Sequence, residues 1–264
     1  MTTQYSTGVV EGMQALYGKG FLSPGGAEEM AVLLDGVDLA GRTVLDIGCG
    51  LGGAAVMLAG TFGARYVTSI DVAGDLVQRA RETISEAGLS GKVETRHVTP
   101  GPLPFDDVSF DTVFAKDVVC HIPDKAALFG EVARVMVPGG QVICADFTVP
   151  SGPDAAPHLY KGWIDAMKAY GLTFHFERLA VYEEAFGRAG LGAPCVKDDT
   201  ARSLEAARRE VAWVRGPNAG LLREALGEEM FARRIDASMR RLDALAGGGI
   251  HHTHLLARRL TQAD

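Results

Sequence analysis

The sequence predicts an α/β fold built on a doubly wound, Rossmann-like parallel sheet. Three observations predict it. Between residues 41 and 145, apolar runs of strand length alternate with stretches of helical periodicity. The run Val44-Leu45-Asp46-Ile47 passes directly into Gly48-Cys49-Gly50-Leu51-Gly52-Gly53, which reads as a tight turn into a helix starting near Ala54. Asp71 closes the second strand, about twenty residues after that loop, where such sheets place an acid on ribose hydroxyls.

Composition bounds the alternatives. A length of 264 residues allows one large α/β domain with insertions, or two small ones. A hydrophobic content of 47% is ample for a core and too high for a disordered chain. The net charge of −7 argues against a basic nucleic-acid surface. Cys49, Cys120, Cys144 and Cys195 are scattered, with no C-x-x-C pair, so no disulfide framework is expected. No apolar run spans a bilayer and the N-terminus is polar, which gives the expectation of a cytoplasmic protein without a membrane partner.

The elements follow in order. Tyr5 to Tyr17 reads as a short helix with Val9, Met13 and Leu16 on one side. Gly18 and Gly20 end it, and Ser23-Pro24 opens a second helix over Ala27 to Leu34. Strands are expected at Gly41 to Ile47, Tyr66 to Ile70, Val93 to Val98, Asp111 to Ala115 and Gln141 to Ala145. Helices are expected at Asp75 to Ala87, with Leu76, Ala80 and Ile84 inward, and at Ala126 to Met136, ended by Pro138-Gly139-Gly140. Pro150 to Gly171 breaks the rhythm and reads as an inserted cap. Helices then cover Val181 to Ala189, Thr200 to Val214 and the stretch marked by Phe231, Ile235, Met239 and Leu242. Ile250 to Ala257 reads as a final edge or hairpin strand. Residues 1–26 are therefore an N-terminal lid segment and 27–150 the Rossmann-like core. Residues 151–200 form the cap insertion and return to the core, and 201–264 the C-terminal helices and final strand or strands of the same domain.

The glycine loop admits two readings. Gly48, Gly50 and Gly53 satisfy the G-x-G-x-x-G of nicotinamide dehydrogenases. Asp46 opposes this, because a carboxylate two residues before the first glycine repels a pyrophosphate lying on the loop. It suits a ligand with an ammonium group, met also by free N–H groups at the helix N-terminus. With Asp46 included, Asp46-x-Gly48-x-Gly50-x-Gly52 resembles motif I of class I S-adenosylmethionine (SAM) methyltransferases. That resemblance implies SAM as cofactor, with Asp71 on its ribose. The Asp that usually meets the adenine amine after the third strand is replaced here by Thr99, a weaker acceptor. Val98 or Pro100 is expected against the ring.

A narrower resemblance spans nearly the whole chain. Gln4-Tyr5-Ser6, Tyr17-Gly18-Lys19-Gly20-Phe21-Leu22-Ser23-Pro24-Gly25-Gly26, motif I and Lys116-Asp117-Val118-Val119-Cys120-His121 together resemble phosphoethanolamine N-methyltransferases. The resemblance implies a lid Tyr working with an Asp and a His after the fourth strand, here Tyr5, Asp117 and His121. It implies cofactor contacts at Gln4, Leu22, Ser23, Gly48, Asp71, Val72, Thr99 and Lys116. Independently, Asp117 and His121 are four residues apart. On a helical turn they share a face, and a hydrogen-bonded carboxylate orients an imidazole and raises its basicity.

The phosphate half of the resemblance departs. The aligned cap puts Leu172 where the family has an Arg, and Phe174 and Met13 where it has Tyr. With Tyr160, Trp163 and Phe176 nearby in sequence, these predict an apolar pocket for a small acceptor without phosphate. The acceptor atom is a nitrogen or an activated carbon, an indole-type natural product being one such molecule. A phosphoethanolamine-type N-methyltransferase is the alternative. The other classes are a nicotinamide dehydrogenase and a non-catalytic SAM-binding protein. His252 and His254 share a strand face, a plausible metal-ligand spacing, but no Cys or carboxylate cluster accompanies them and no metal is expected. Arg233, Arg234, Arg240 and Arg241, interspersed with acids, read as a solvated helix face.

Overall fold

A computed structural model describes residues 7–152, 155–168 and 170–261. Five parallel strands form the predicted core: β1 (Thr43–Ile47), β2 (Tyr66–Asp71), β3 (Val93–His97), β4 (Phe110–Lys116) and β5 (Met136–Val149). Their order is β3-β2-β1-β4-β5, so β1 and β4 meet at the point where the winding reverses. The two-residue β6 (Glu177–Arg178) pairs with β5. β7 (Cys195–Asp198) and β8 (His251–Arg258) complete the sheet as β5-β8-β7, both pairings of β8 being antiparallel.

Alternation along each strand builds two cores. Leu45, Val113 and Cys144 face one side, under α5 (Lys125–Val135) and α7 (Leu179–Arg188), where Phe129 and Phe186 lie 4.4 Å apart. Val44, Val67, Phe114 and Ile143 face the other. There α2 (Gly26–Leu33), α3 (Gly53–Val56, continued by a π-helical turn, Met57–Thr61) and α4 (Gly74–Glu86) cover them. α4 buries Leu76, Ala80 and Ile84 as its 3.6-residue period requires, with Val77 beside them.

The remaining helices sit at the carboxyl end of the strands. They are α1 (Thr7–Tyr17), α6 (Pro157–Lys168), α8 (Thr200–Arg215) and α9 (Gly220–Ala246). The cap stretch thus contains a helix: Pro157 occupies its first position, where the missing N–H has no partner to lose. Trp163 and Met167 of α6 pack with Ala237, Ala244 and Leu245 of α9 in one hydrophobic cluster.

Three expectations are corrected. β8 is an interior strand, because the unpredicted β7 covers its outer edge. β5 starts at Met136, before Pro138-Gly139-Gly140, and the interruption is absorbed as a register shift between Phe110 and Thr112. A Cβ at residue 140 would stand 2.9 Å from the Asp111 carbonyl oxygen, which is why glycine fits there. The arginine-rich face is only half solvated. Arg233 and Arg240 are exposed beside Glu229 and Asp236, whereas Arg234 and Arg241, seven residues apart, are buried. No described helix is long and apolar enough to cross a membrane.

Candidate active site

The glycine loop turns sharply from β1 into α3. Gly48, Gly50 and Gly52 all have positive φ (81°, 50° and 85°), and a Cβ at residue 48 would fall 2.6 Å from a Val118 methyl. Four of the loop amides bond within the protein itself. Gly48 and Cys49 N–H donate to the Ile70 carbonyl, Gly52 N–H to Cys49, and Gly50 N–H to Asp71 Oδ2 at 3.0 Å. Only the first amide of the helix start is taken. Gly53 N–H donates to the Gly20 carbonyl at 3.0 Å, because the N-terminal segment lies across it. Such a loop leaves little for a pyrophosphate.

Two carboxyl groups line the cavity above and below this loop. Asp71 is fixed by the Gly50 and Ala73 amides, and burial pushes its pKa up. Asp46 is buried and accepts a hydrogen bond from Ser69 Oγ at 2.8 Å. Burial raises it to about 7, the Ser69 bond opposing and nearby Asp71 adding. Leu22, Ser23, Val72, Val98, Thr99 and Lys116 also line the cavity. Gly52 does not; its turn packs against Ala80 of α4. Gln4 and Tyr5 lie outside the described residues.

Beyond β4 the chain makes a strained turn. Asp117 sits at φ 53°, unusual for a residue with a Cβ, and a 3₁₀ turn follows at Val119–His121. Asp117 and His121 both line the cavity but do not bond to each other. Asp117 lies outside the helical turn, so the four-residue spacing fails to align them. Its Oδ2 accepts from Lys116 Nζ at 2.5 Å and its Oδ1 from His252 Nε2 at 3.1 Å. His121 Nδ1 lies 2.7 Å from the Thr173 carbonyl. A carbonyl only accepts, so Nδ1 carries the proton and Nε2 keeps a lone pair in the neutral ring. Burial lowers the His121 pKa, the reverse of the sequence expectation; the Thr173 bond and the Asp117 charge oppose it without prevailing.

Beside His121 the cavity has an aromatic wall. Trp163 and Phe174 stack at 5.3 Å, and His121 lies 4.6 Å from Phe174. Met13, Trp163, Leu172 and Phe174 line the cavity, joined by Phe147 and Met167. Tyr160 and Phe176 do not: Phe176 stacks at 5.5 Å on Trp163 and 4.9 Å on Phe174, supporting the wall, and Tyr160 packs against Phe176.

A second wall was missed. Glu210 on α8, Arg234 and Arg241 on α9, and Tyr17 on α1 all border the cavity. Glu210 Oε1 accepts from Arg234 at 2.6 Å and from Ser238 Oγ at 2.5 Å; its Oε2 accepts from Arg241 at 2.5 Å and Tyr17 OH at 2.9 Å. The arginines hold Glu210 at about 2 despite its burial. The usable signal was the seven-residue repeat, which puts Arg234 and Arg241 on the helix face that also carries Ala237, Ser238 and Ala244.

His252 and His254 meet the carboxylate that the sequence did not reveal, Glu29, within 4.8 Å. Lys116 Nζ is 3.0 Å from Glu29 Oε2, and Glu29 with Asp117 raises His252 to about 10 against its burial.

Comparison with known proteins agrees with this geometry. A family profile described as a methyltransferase domain matches residues 45–144. Phosphoethanolamine N-methyltransferase 1 of Arabidopsis thaliana is 30% identical over 210 residues, 79% of this chain but 40% of its own length. The methyltransferase GfsG of Streptomyces halstedii is 33% identical over 153 residues, 58% of this chain and 53% of its own. Phosphoethanolamine N-methyltransferase 2 of Haemonchus contortus, solved with phosphomonomethylethanolamine and S-adenosylhomocysteine, superposes with a TM-score of 0.85 at 24% identity. The match covers 98% of this chain and 58% of that one, and establishes likeness of fold. The chain thus spans well under two thirds of these relatives. By its matched domain, its sheet order and its glycine loop, the chain has the fold of class I S-adenosylmethionine-dependent methyltransferases, and in sequence it resembles the phosphoethanolamine N-methyltransferases.

Proposed function

We propose that the protein transfers a methyl group from SAM to the nitrogen or activated carbon of a small, flat, mainly apolar acceptor. One observation carries this reading: a single cavity of about 1020 Å³ joins the Asp46–Asp71 loop, the Asp117–His121 turn and the Trp163–Phe174 wall. That volume is at the top of the range for one small ligand, about 300–1,000 Å³, and suits two molecules side by side.

The cofactor end fits SAM. Asp46, a buried carboxyl with no cationic partner among the described residues, complements an ammonium group, and Asp71 has acceptor capacity left for ribose hydroxyls. Leu22, Ser23, Val72, Val98 and Thr99 border the same space, and Ser23 Oγ is tied to Lys116 at 2.7 Å. When bound, SAM supplies an electrophilic methyl group. The Asp46 carboxyl, with the Gly48, Cys49, Gly50, Gly52 and Gly53 amides already bonded, makes a pyrophosphate cofactor, and hence the dehydrogenase reading, a poor fit.

At the acceptor end, Trp163 and Phe174 orient a flat ring, and orientation supplies much of a transfer rate. His121 is held as the tautomer whose Nε2 accepts, and its lowered pKa keeps it neutral at pH 7. It takes the N–H proton of an acceptor that must lose one. Asp117 presents a carboxylate at the same wall. Tyr5 belongs to this proposal as a lid residue by resemblance alone.

A phosphoethanolamine-type acceptor is the second reading, favoured by the names of the relatives and by Arg234 and Arg241 at the cavity. Glu210 pairs with both arginines but balances only one of their two charges, and Arg234 Nε with Arg241 Nε and Nη1 have no hydrogen-bond partner among the described residues, whereas the Trp163–Phe174 wall favours the apolar acceptor. Turnover of SAM with phosphoethanolamine, indole-containing acceptors and simple amines in parallel separates the two. Saturable methylation of phosphoethanolamine alone refutes the apolar acceptor, and no turnover with any acceptor at the affinity of a SAM binder favours a non-catalytic protein.

A further inference from the structure

Residue 252 is far from residue 117 in sequence, and the sheet brings them together. β8 runs antiparallel to β5, with His254 opposite Ala145 and His252 opposite Phe147. The Asp117 N–H donates to the Ala145 carbonyl at 2.8 Å, so the turn after β4 is pinned to the same rungs. His252 is 2% exposed, covered on one side by the Phe147 ring at 4.7 Å.

Its Nε2 stands 3.1 Å from Asp117 Oδ1 and 3.2 Å from Glu29 Oε1. Lys116 Nζ spans the opposite oxygens, 2.5 Å from Asp117 Oδ2 and 3.0 Å from Glu29 Oε2. Four side chains thus close a ring of alternating charge, two carboxylates and two cations, if His252 is an imidazolium. The groups around the ring are Asp199, 3.7 Å from His252 Nδ1 and paired with Arg202, and His254, 3.5 Å from Asp199 Oδ2. With a neutral imidazole, two buried carboxylates would share one ammonium, and an uncompensated buried charge is strongly destabilising. Lys116 also donates to Ser23 Oγ at 2.7 Å and the Pro24 carbonyl at 3.1 Å, both on the segment bordering the cofactor end.

We infer that His252 and Glu29 are positioning residues for methyl transfer. Through a charged hydrogen bond, His252 fixes the Asp117 carboxylate at the cavity wall. Glu29 and Lys116 extend that hold to the Ser23–Pro24 segment, so the acceptor wall and the cofactor border are held by one buried ring. The assignment rests on the methyltransferase reading of the cavity. Asp117 needs such support, because its left-handed backbone persists only where the surroundings over-determine it. A misplacement of about 1 Å in a site of this kind lowers a rate by roughly a hundredfold.

The test uses the full chain with S-adenosylhomocysteine, in the parent protein and in the His252→Gln and Glu29→Gln variants. Nitrogen-15 spectra of the histidine rings should show His252 doubly protonated at pH 8. The Asp117 carboxyl carbon-13 signal should move in His252→Gln. A neutral His252 ring at pH 8, or an Asp117 signal indifferent to residue 252, overturns the inference whether or not an acceptor is in hand. With an acceptor from the parallel assay, kcat should fall about ten- to a hundredfold in His252→Gln while S-adenosylhomocysteine affinity stays within about threefold. Glu29→Gln should add a new loss of kcat as pH rises, because His252 then gives up its proton more readily. A lowered melting temperature with unchanged kcat and pH profile would mean the ring is merely structural. If His252→Gln does not fold, Glu29→Gln carries the same measurements, since it keeps side-chain shape. If no acceptor turns over, the proposed function fails while the spectra still decide the ring.

Discussion

Replacing Glu210 by Gln should destabilise the protein by about 3 kcal/mol at pH 7. The carboxylate is 6% exposed and faces Arg234, Arg241, Ser238 and Tyr17. Removing its charge leaves two buried guanidinium groups without a counter-ion, and breaking a buried pair costs roughly 3–5 kcal/mol. The pH linkage gives a similar figure. Glu210 falls from an ordinary 4.5 to about 2 on folding, a difference of about 3 kcal/mol at neutral pH. For a chain of this size roughly 2–4 °C of melting temperature accompanies each kcal/mol, so a fall of about 6–12 °C is expected by calorimetry. The contribution is fully present above the ordinary carboxylate value of 4.5 and fades as pH falls toward 2. The gap between parent and variant should therefore close between about pH 4 and pH 2. A Gln variant melting within 2 °C of the parent at pH 7, or a gap unchanged down to pH 3, would refute the account of a buried ion cluster.

Asp71→Ala should weaken SAM at least tenfold in titration calorimetry, since each lost charge-assisted hydrogen bond is worth roughly 1.5–3 kcal/mol; undiminished affinity removes Asp71 from the site. Asp46, raised to about 7 by burial, must be ionised to hold an ammonium group. SAM affinity should therefore be flat above about pH 7 and fall below it, and Asp46→Asn should abolish that dependence; an unchanged pH profile in the variant places the ammonium elsewhere. His121→Ala should lower turnover by roughly a hundredfold for an acceptor that loses a proton, with S-adenosylhomocysteine binding retained. Full rate in that variant would make the histidine structural.

The alternating core, the glycine turn and the position of Asp71 were legible in the sequence because each depends on local chemistry. A strand shows its period of two, a helix its period of 3.6, and a turn needing positive φ shows glycine. The resemblance of the Asp117–His121 block placed both residues at the cavity. Their mutual bond did not form, because one left-handed residue takes Asp117 out of the turn that a four-residue spacing assumes. The partners of Asp117, the ring closed by Glu29 and His252, the burial of Arg234 and Arg241 on Glu210, and the packing of α8 and α9 against α6 were decided by tertiary packing alone. Charged residues on a helix look the same in sequence whether they face water or one another, and only the return of a distant strand or helix supplies the counter-charge that allows them to be buried.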